Sequence, residues 1–187
     1  MRQMAAPSGR PPRPGPAVIG RPTDGGDARV DARPTPITRQ RSYAAIDLGT
    51  NNCRLLIARP QNGELVVIDA FSRIVRLGEG LHGSGRISDA AMDRTLAALS
   101  ACSEKLARRD VRLTRNVATE ACRRARNGKD FMRQIRRETG LNVEIIPAEE
   151  EARLAVISCA PLVNRSTEQL LVVDIGGGST ELVWVDL

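Results

Sequence analysis

Aromatic residues are almost missing: one Trp, one Tyr and two Phe in 187 residues. Without such platforms, stacking-based binding of single-stranded nucleic acid is excluded. His82 is the only histidine. That excludes a His-based metal cluster and leaves a Ser-His-Asp triad resting on one loop residue with no G-x-S-x-G partner. Four cysteines (Cys53, Cys102, Cys122, Cys159) lie far apart with no C-x-x-C pair. No zinc site or redox dithiol is expected; they read as small buried hydrophobes, suited to a reducing cytoplasm. No apolar run approaches the ~18 residues that span a bilayer, and no continuous h-region marks a secretory signal. A membrane partner is therefore not expected. G-x-x-x-x-G-K-[ST] does not occur, which excludes a P-loop. Gly78-Glu-Gly-Leu-His-Gly83 fits G-x-G-x-x-G, but Arg86, Ile87 and the cap at Ser88 intervene before the next helix, so a dinucleotide fingerprint is not supported.

Charge is unevenly spread. Residues 1–41 hold eight Arg and three Asp, a net of +5, whereas residues 42–187 hold 20 basic and 19 acidic residues, a net of +1. The basic character belongs to the leader, so no specific nucleic-acid partner follows from it. With eight Pro and few apolar residues, residues 1–41 read as a disordered Pro/Arg-rich tail. Such a tail is either a solvated leader or an arm for a polyanion.

From Ser42 the pattern is that of an α/β fold. Tyr43–Ile46, Cys53–Arg59 and Glu64–Phe71 read as three strands, antiparallel because their connections are short, with Ser72–Leu77 as an extension. Residues 78–85 read as a glycine-dense loop. Ser88 is a candidate N-cap, and Met92, Leu96, Leu99 and Leu106 recur at helical spacing to about Arg109. Val111–Thr119 reads as a strand, Glu120–Arg126 and Asp130–Thr139 as helices, Asn142–Ile146 as a strand, and Ala148–Cys159 as a helix. Leu170–Val173 reads as a buried strand, followed by Glu181–Val185. The order βββαβαβα implies a mixed sheet, largely parallel in its later part and covered by helices. Residues 42–168 then form a first domain, and residues 169–187 only the opening hairpin of a second.

The sharpest chemistry lies in two matched segments, Asp47-Leu-Gly-Thr-Asn51 and Asp174-Ile-Gly-Gly-Gly-Ser-Thr180. In each, a strand delivers a carboxylate to its end and glycine follows at once. Such a turn can aim several N–H groups at phosphate oxygens, with Thr50 and Ser179 adding hydroxyls. Asp47 and Asp174 would repel phosphate, so their natural partner is a hard cation such as Mg²⁺. Either segment alone could be an ordinary hairpin with a turn-stabilising Asp; the repetition argues for a site. Glu149–Glu151 open a helix after a strand. Acidic residues there can simply complement the helix dipole, or one can activate a water beside a phosphate. An Arg in Ala118–Arg124 could clamp a phosphate or lie on a solvated face.

Ala45-Ile-Asp-Leu-Gly-Thr-Asn-Asn-Cys-Arg-Leu55 resembles the first phosphate motif of the exopolyphosphatase / guanosine pentaphosphate phosphohydrolase family. Arg76–Leu81, Ala118–Arg123, Glu150–Leu154 and Val173–Leu182 agree with it in order and spacing. The resemblance implies an actin-like ATPase (ribonuclease H-like) fold with the active site in a cleft between two domains. It implies Glu151 as the catalytic base, and Asp47 and Asp174 as carboxylates facing Mg²⁺. Gly49, Thr50, Asn51, Gly176, Gly177, Gly178 and Ser179 become phosphate loops, and Arg123 a phosphate contact. The implied substrates are inorganic polyphosphate or guanosine pentaphosphate, in the cytoplasm, and a homodimer of the full-length protein stays open. Thr50 and Asn52 stand where the family commonly has serine, and Pro147-Ala148 where it has Ser-Gly. Because the second domain would follow Asp174, the chain reads as a fragment with weak or no turnover. Two other functions stay open: a small-metabolite kinase of the same fold, and a non-catalytic polyphosphate binder.

Overall fold

The computed structural model describes residues 41–164 and 166–187. The expected disordered tail, residues 1–41, lies outside them apart from Arg41. Ser42–Leu48 (β1), Asn52–Gln61 (β2) and Glu64–Ile74 (β3) pair antiparallel. Val111–Ala118 (β4) joins β1 in parallel, and Glu144–Ile145 (β5) joins β4 in parallel. The sheet order is β3-β2-β1-β4-β5, a mixed sheet. Period-two alternation sorts the side chains. Ile46, Leu48, Cys53, Leu55 and Ile57 are buried on one face, whereas Ala45, Asp47, Arg54 and Leu56 belong to the other.

Helices cover the first face. After a one-turn helix, Leu81–Ser84 (α1), comes Asp89–Arg108 (α2), capped as expected by Ser88, whose side chain accepts from the Ala91 amide. It buries Ala91, Thr95, Leu96, Leu99, Cys102 and Leu106, a stripe at helical spacing. Glu120–Arg124 (α3) and Gly128–Thr139 (α4) follow, and α4 adds Phe131 and Ile135 to the same core. Ala148–Cys159 (α5) leads to a separate antiparallel hairpin, Gln169–Ile175 (β6) and Thr180–Asp186 (β7).

Several expectations need correction. The glycine-dense stretch 78–85 contains α1. Helix Glu120–Arg126 stops at Arg124, because the Arg126 amide donates to Gly85 O at 3.0 Å and its guanidinium to Ser84 O at 2.7 Å. Those bonds draw the chain out of the helix. The strand at Asn142–Ile146 is paired only over Glu144–Ile145. Asn142 O instead accepts from the Asn116 side chain at 3.1 Å, so a side chain takes the place of the ladder. The expected extension Ser72–Leu77 continues β3 only as far as Ile74, and residues 75–78 turn beneath the loop at Thr50. The strand Leu170–Val173 is not buried throughout: Val172 is, while Leu171 and Val173 are exposed because no described residue covers that face of the hairpin. Among the described residues, helices cover one face of the five-stranded sheet fully and the other only in part, through α5. The partly covered face keeps an apolar groove of about 690 Å³ lined by Ala45, Leu56, Ala70, Val117 and Leu154. No described helix is long and apolar enough to cross a membrane.

Candidate active site

The β1–β2 turn and the β6–β7 turn have the same construction. Gly49 N donates to Asn52 O at 2.9 Å, and Gly176 N donates to Ser179 O at 2.9 Å. The Asp before each turn faces a charged cross-strand partner, Asp47 opposite Arg54 and Asp174 opposite Glu181. The repetition seen in the sequence is therefore also a repetition in geometry.

The two turns meet. A Cβ on Gly177 would lie 3.0 Å from Asn51 Cβ, and one on Gly178 2.7 Å from Thr50 Oγ1. Only glycine permits that approach. Thr50 is seated from the other side by Gly78, where a Cβ would fall 2.4 Å from Thr50 Cγ2. The backbone closes this seat: Gly78 N donates to Thr50 O at 2.9 Å, and Val75 N and Arg76 N both donate to Asn51 O, at 2.9 and 3.1 Å. Gly78 belongs to a segment dismissed above as a nucleotide fingerprint. Its glycine serves packing, and only the three-dimensional approach of Thr50 reveals it.

Between the turns lies a polar cavity of about 340 Å³. Asp47, Gly49, Thr50, Asn51, Glu151, Asp174 and Gly176–Ser179 all line it. Asn52, Arg54 and Thr119 line it too, and none of the three was assigned a site role from the sequence. Arg54 is set two residues past the turn on the face of Asp47, and its guanidinium lies 3.6 Å from the Asp47 carboxylate.

Arg123 is the expected site residue that does not line the cavity. Its guanidinium donates to Glu151 Oε2 at 2.9 Å, to Ile146 O at 2.8 Å and to Glu120 Oε2 at 2.9 Å. It stands behind Glu151 and fixes its carboxylate. The cavity is rich in negative charge. Burial lifts Asp47 above the usual aspartate range; Arg54 opposes this and Asp174 adds to it. Burial also lifts Glu151, opposed by Arg123 and reinforced by the charges of Glu181 and Asp47. A carboxyl raised in this way is a better proton acceptor near neutral pH. The thiols take no part: Cys53, Cys102 and Cys122 are buried, Cys159 is half-buried, and burial pushes the Cys122 thiol up to about 12.

Residues 56–187 match the sequence model of the Ppx/GppA phosphatase family. The chain belongs to that family. The solved Ppx/GppA family member from Aquifex aeolicus is 36% identical, with a TM-score of 0.69, over 78% of this chain and 47% of that one. An exopolyphosphatase from Cytophaga hutchinsonii is 30% identical, with a TM-score of 0.74, over 78% of this chain and 47% of that one. An exopolyphosphatase-like protein is 37% identical, with a TM-score of 0.71, over 78% of this chain and 45% of that one. The Ppx/GppA chain described here thus spans about half the length of these solved relatives.

Proposed function

We propose that the protein is a phosphoanhydride hydrolase that releases the terminal phosphate of inorganic polyphosphate, or the 5′ phosphate of guanosine pentaphosphate. The observation that carries this reading is the meeting of two glycine turns over a polar cavity that also holds Glu151. Phosphoryl transfer depends on positioning and charge neutralisation more than on covalent chemistry. Gly49–Asn51 and Gly176–Ser179 offer amide and hydroxyl donors to phosphate oxygens from opposite sides. Arg123 orients Glu151, which accepts a proton from the attacking water. The water oxygen bonds to the terminal phosphorus as the bridging P–O bond breaks, and inorganic phosphate leaves the shortened chain.

The residues present fit Mg²⁺. No three acidic side chains converge into a cage among the described residues. Asp47 and Asp174, both lining the cavity, would hold the ion through two carboxylates, a donor type that suits Mg²⁺. When bound, that ion neutralises phosphate charge where three carboxylates would otherwise repel it.

The test is phosphate release from polyphosphate with Mg²⁺, compared with the Glu151→Gln variant. The expected loss is about 10²–10⁴-fold, and equal rates would remove Glu151 from its role. Because Glu151 is raised, the rate should climb with pH along a limb above the usual glutamate range, since only the deprotonated base accepts the proton. Glu151→Gln should abolish that limb. Polyphosphate binding without release in the parent would favour a non-catalytic binder.

A further inference from the structure

Helix α5 carries Glu151 but has no firm apolar anchor. None of its side chains is buried. Its N-cap residue, Pro147, makes no side-chain capping bond. Two ion pairs to other elements hold its first turn instead. Glu151 meets Arg123 of α3 at 2.9 Å, and Glu150 meets Arg115 of β4 at 2.7 Å. Arg153, one turn further along α5, braces the same Glu150 carboxylate from Nε at 2.6 Å and Nη2 at 3.0 Å.

Consecutive helical residues point about 100° apart around the axis. The two pairs therefore pull the first turn in different directions, one toward β4 and one toward α3. The apolar side chains of α5 are at most half-buried, so one pair alone would constrain its rotation weakly; two on adjacent residues fix it. Arg115 stands on the open face of the sheet, level with Ala45 of β1 and just below Asp47. It ties α5 to the strand layer that also carries the first phosphate turn.

We propose that Arg115 is a positioning residue which, through Glu150, fixes the rotation of α5 and so aims the Glu151 carboxylate into the cavity. Arg115 itself touches no reacting atom. The value of the device rests on Glu151 being the base, as proposed above; its geometry does not. Glu150 is held well below the ordinary glutamate value, to about 2, by Arg153 and Arg115. It stays ionised across the working pH range, as a fixed peg must. The neighbouring carboxyl is raised. Adjacent glutamates thus carry different tasks.

The test uses Arg115→Ala, Arg115→Lys and Glu150→Gln in the 187-residue protein, with thermal melts to confirm folding. Arg115→Ala and Glu150→Gln should each lower kcat about tenfold or more, with KM changed less than about twofold, because misaimed catalytic groups lose rate rather than binding. Arg115 uses one nitrogen toward Glu150, so Arg115→Lys should recover most of the rate. In a Glu151→Gln background, Arg115→Ala should have no further effect on kcat. Independently of turnover, the Arg123 guanidinium NMR signals, protected by pairing with Glu151, should lose protection in Arg115→Ala and regain it in Arg115→Lys. An unchanged kcat with unchanged Arg123 signals would overturn the proposal. So would an equal loss in the Glu151→Gln background, which would mark a general structural effect. If the 187-residue parent shows no phosphate release, kcat is not read and the Arg123 signals alone decide the positioning role.

Discussion

Two regions of the chain carry the same loop on unequal foundations. The first turn sits on β1 and β2, whose inward face joins α2 and α4 in one packed core containing Ile46, Leu48, Leu55, Leu99 and Phe131. The second sits on β6 and β7, where Val172 is the one buried hydrophobic residue among the described residues of the hairpin. Its outward side chains, Leu171, Val173, Ile175, Leu182 and Trp184, are each at least half exposed. A two-stranded hairpin is marginal by itself. What holds this one is α5 on one side and contact between the turns on the other. A glycine turn of this kind thus needs its local turn chemistry, but its placement depends on what packs behind it. The first loop is placed by a core, the second by the first loop and by a helix that is itself pinned by ion pairs.

The contrast can be broken most severely at the core. Phe131→Ala should cost about 3–5 kcal/mol in urea unfolding. A change below about 1 kcal/mol would mean that α4 is not integral to the core. At the junction, Gly178→Ala places a methyl against Thr50 and should cost about 1–3 kcal/mol of loop placement. That appears as roughly tenfold weaker polyphosphate binding. Gly83→Ala, with nothing within 4 Å of the new methyl, is the matched control and should bind as the parent does. Ser88→Ala removes the α2 cap and should cost about 1 kcal/mol. A smaller effect belongs to Glu150. Its native value near 2 lies below its ordinary 4.5, so it stabilises the fold above the ordinary value. That contribution is lost as pH falls from there toward 2. Glu150→Gln should flatten this part of an acid titration. Least of all, Trp184→Ser on the exposed face should stay within about 0.5 kcal/mol, the opposite of Phe131→Ala.

What the sequence made readable follows the same division. Strong local signals sufficed for β1 to β3, for α2 with its Ser88 cap, and for the two Asp-glycine turns, because period and turn chemistry are encoded residue by residue. The short α1 was hidden, since Leu81-His-Gly-Ser84 is too brief and glycine-rich to show a period. The length of β5 was hidden because Asn116, from another strand, occupies the Asn142 carbonyl. The seat of Thr50 on Gly78, the engagement of Arg123 by Glu151, and the tie from Arg115 to Glu150 all join residues far apart in the chain. No window of sequence contains both partners. The open faces of sheet and hairpin were missed for a related reason: the same alternating pattern is written whether or not a layer lies above it.

The most direct test of the central claim, that both turns grip one phosphate chain, is a backbone amide NMR titration with polyphosphate and Mg²⁺. The account predicts that the amides of Gly49–Asn51 and Gly176–Ser179 shift together with a single midpoint. Shifts confined to one turn, or two separate midpoints, would contradict it.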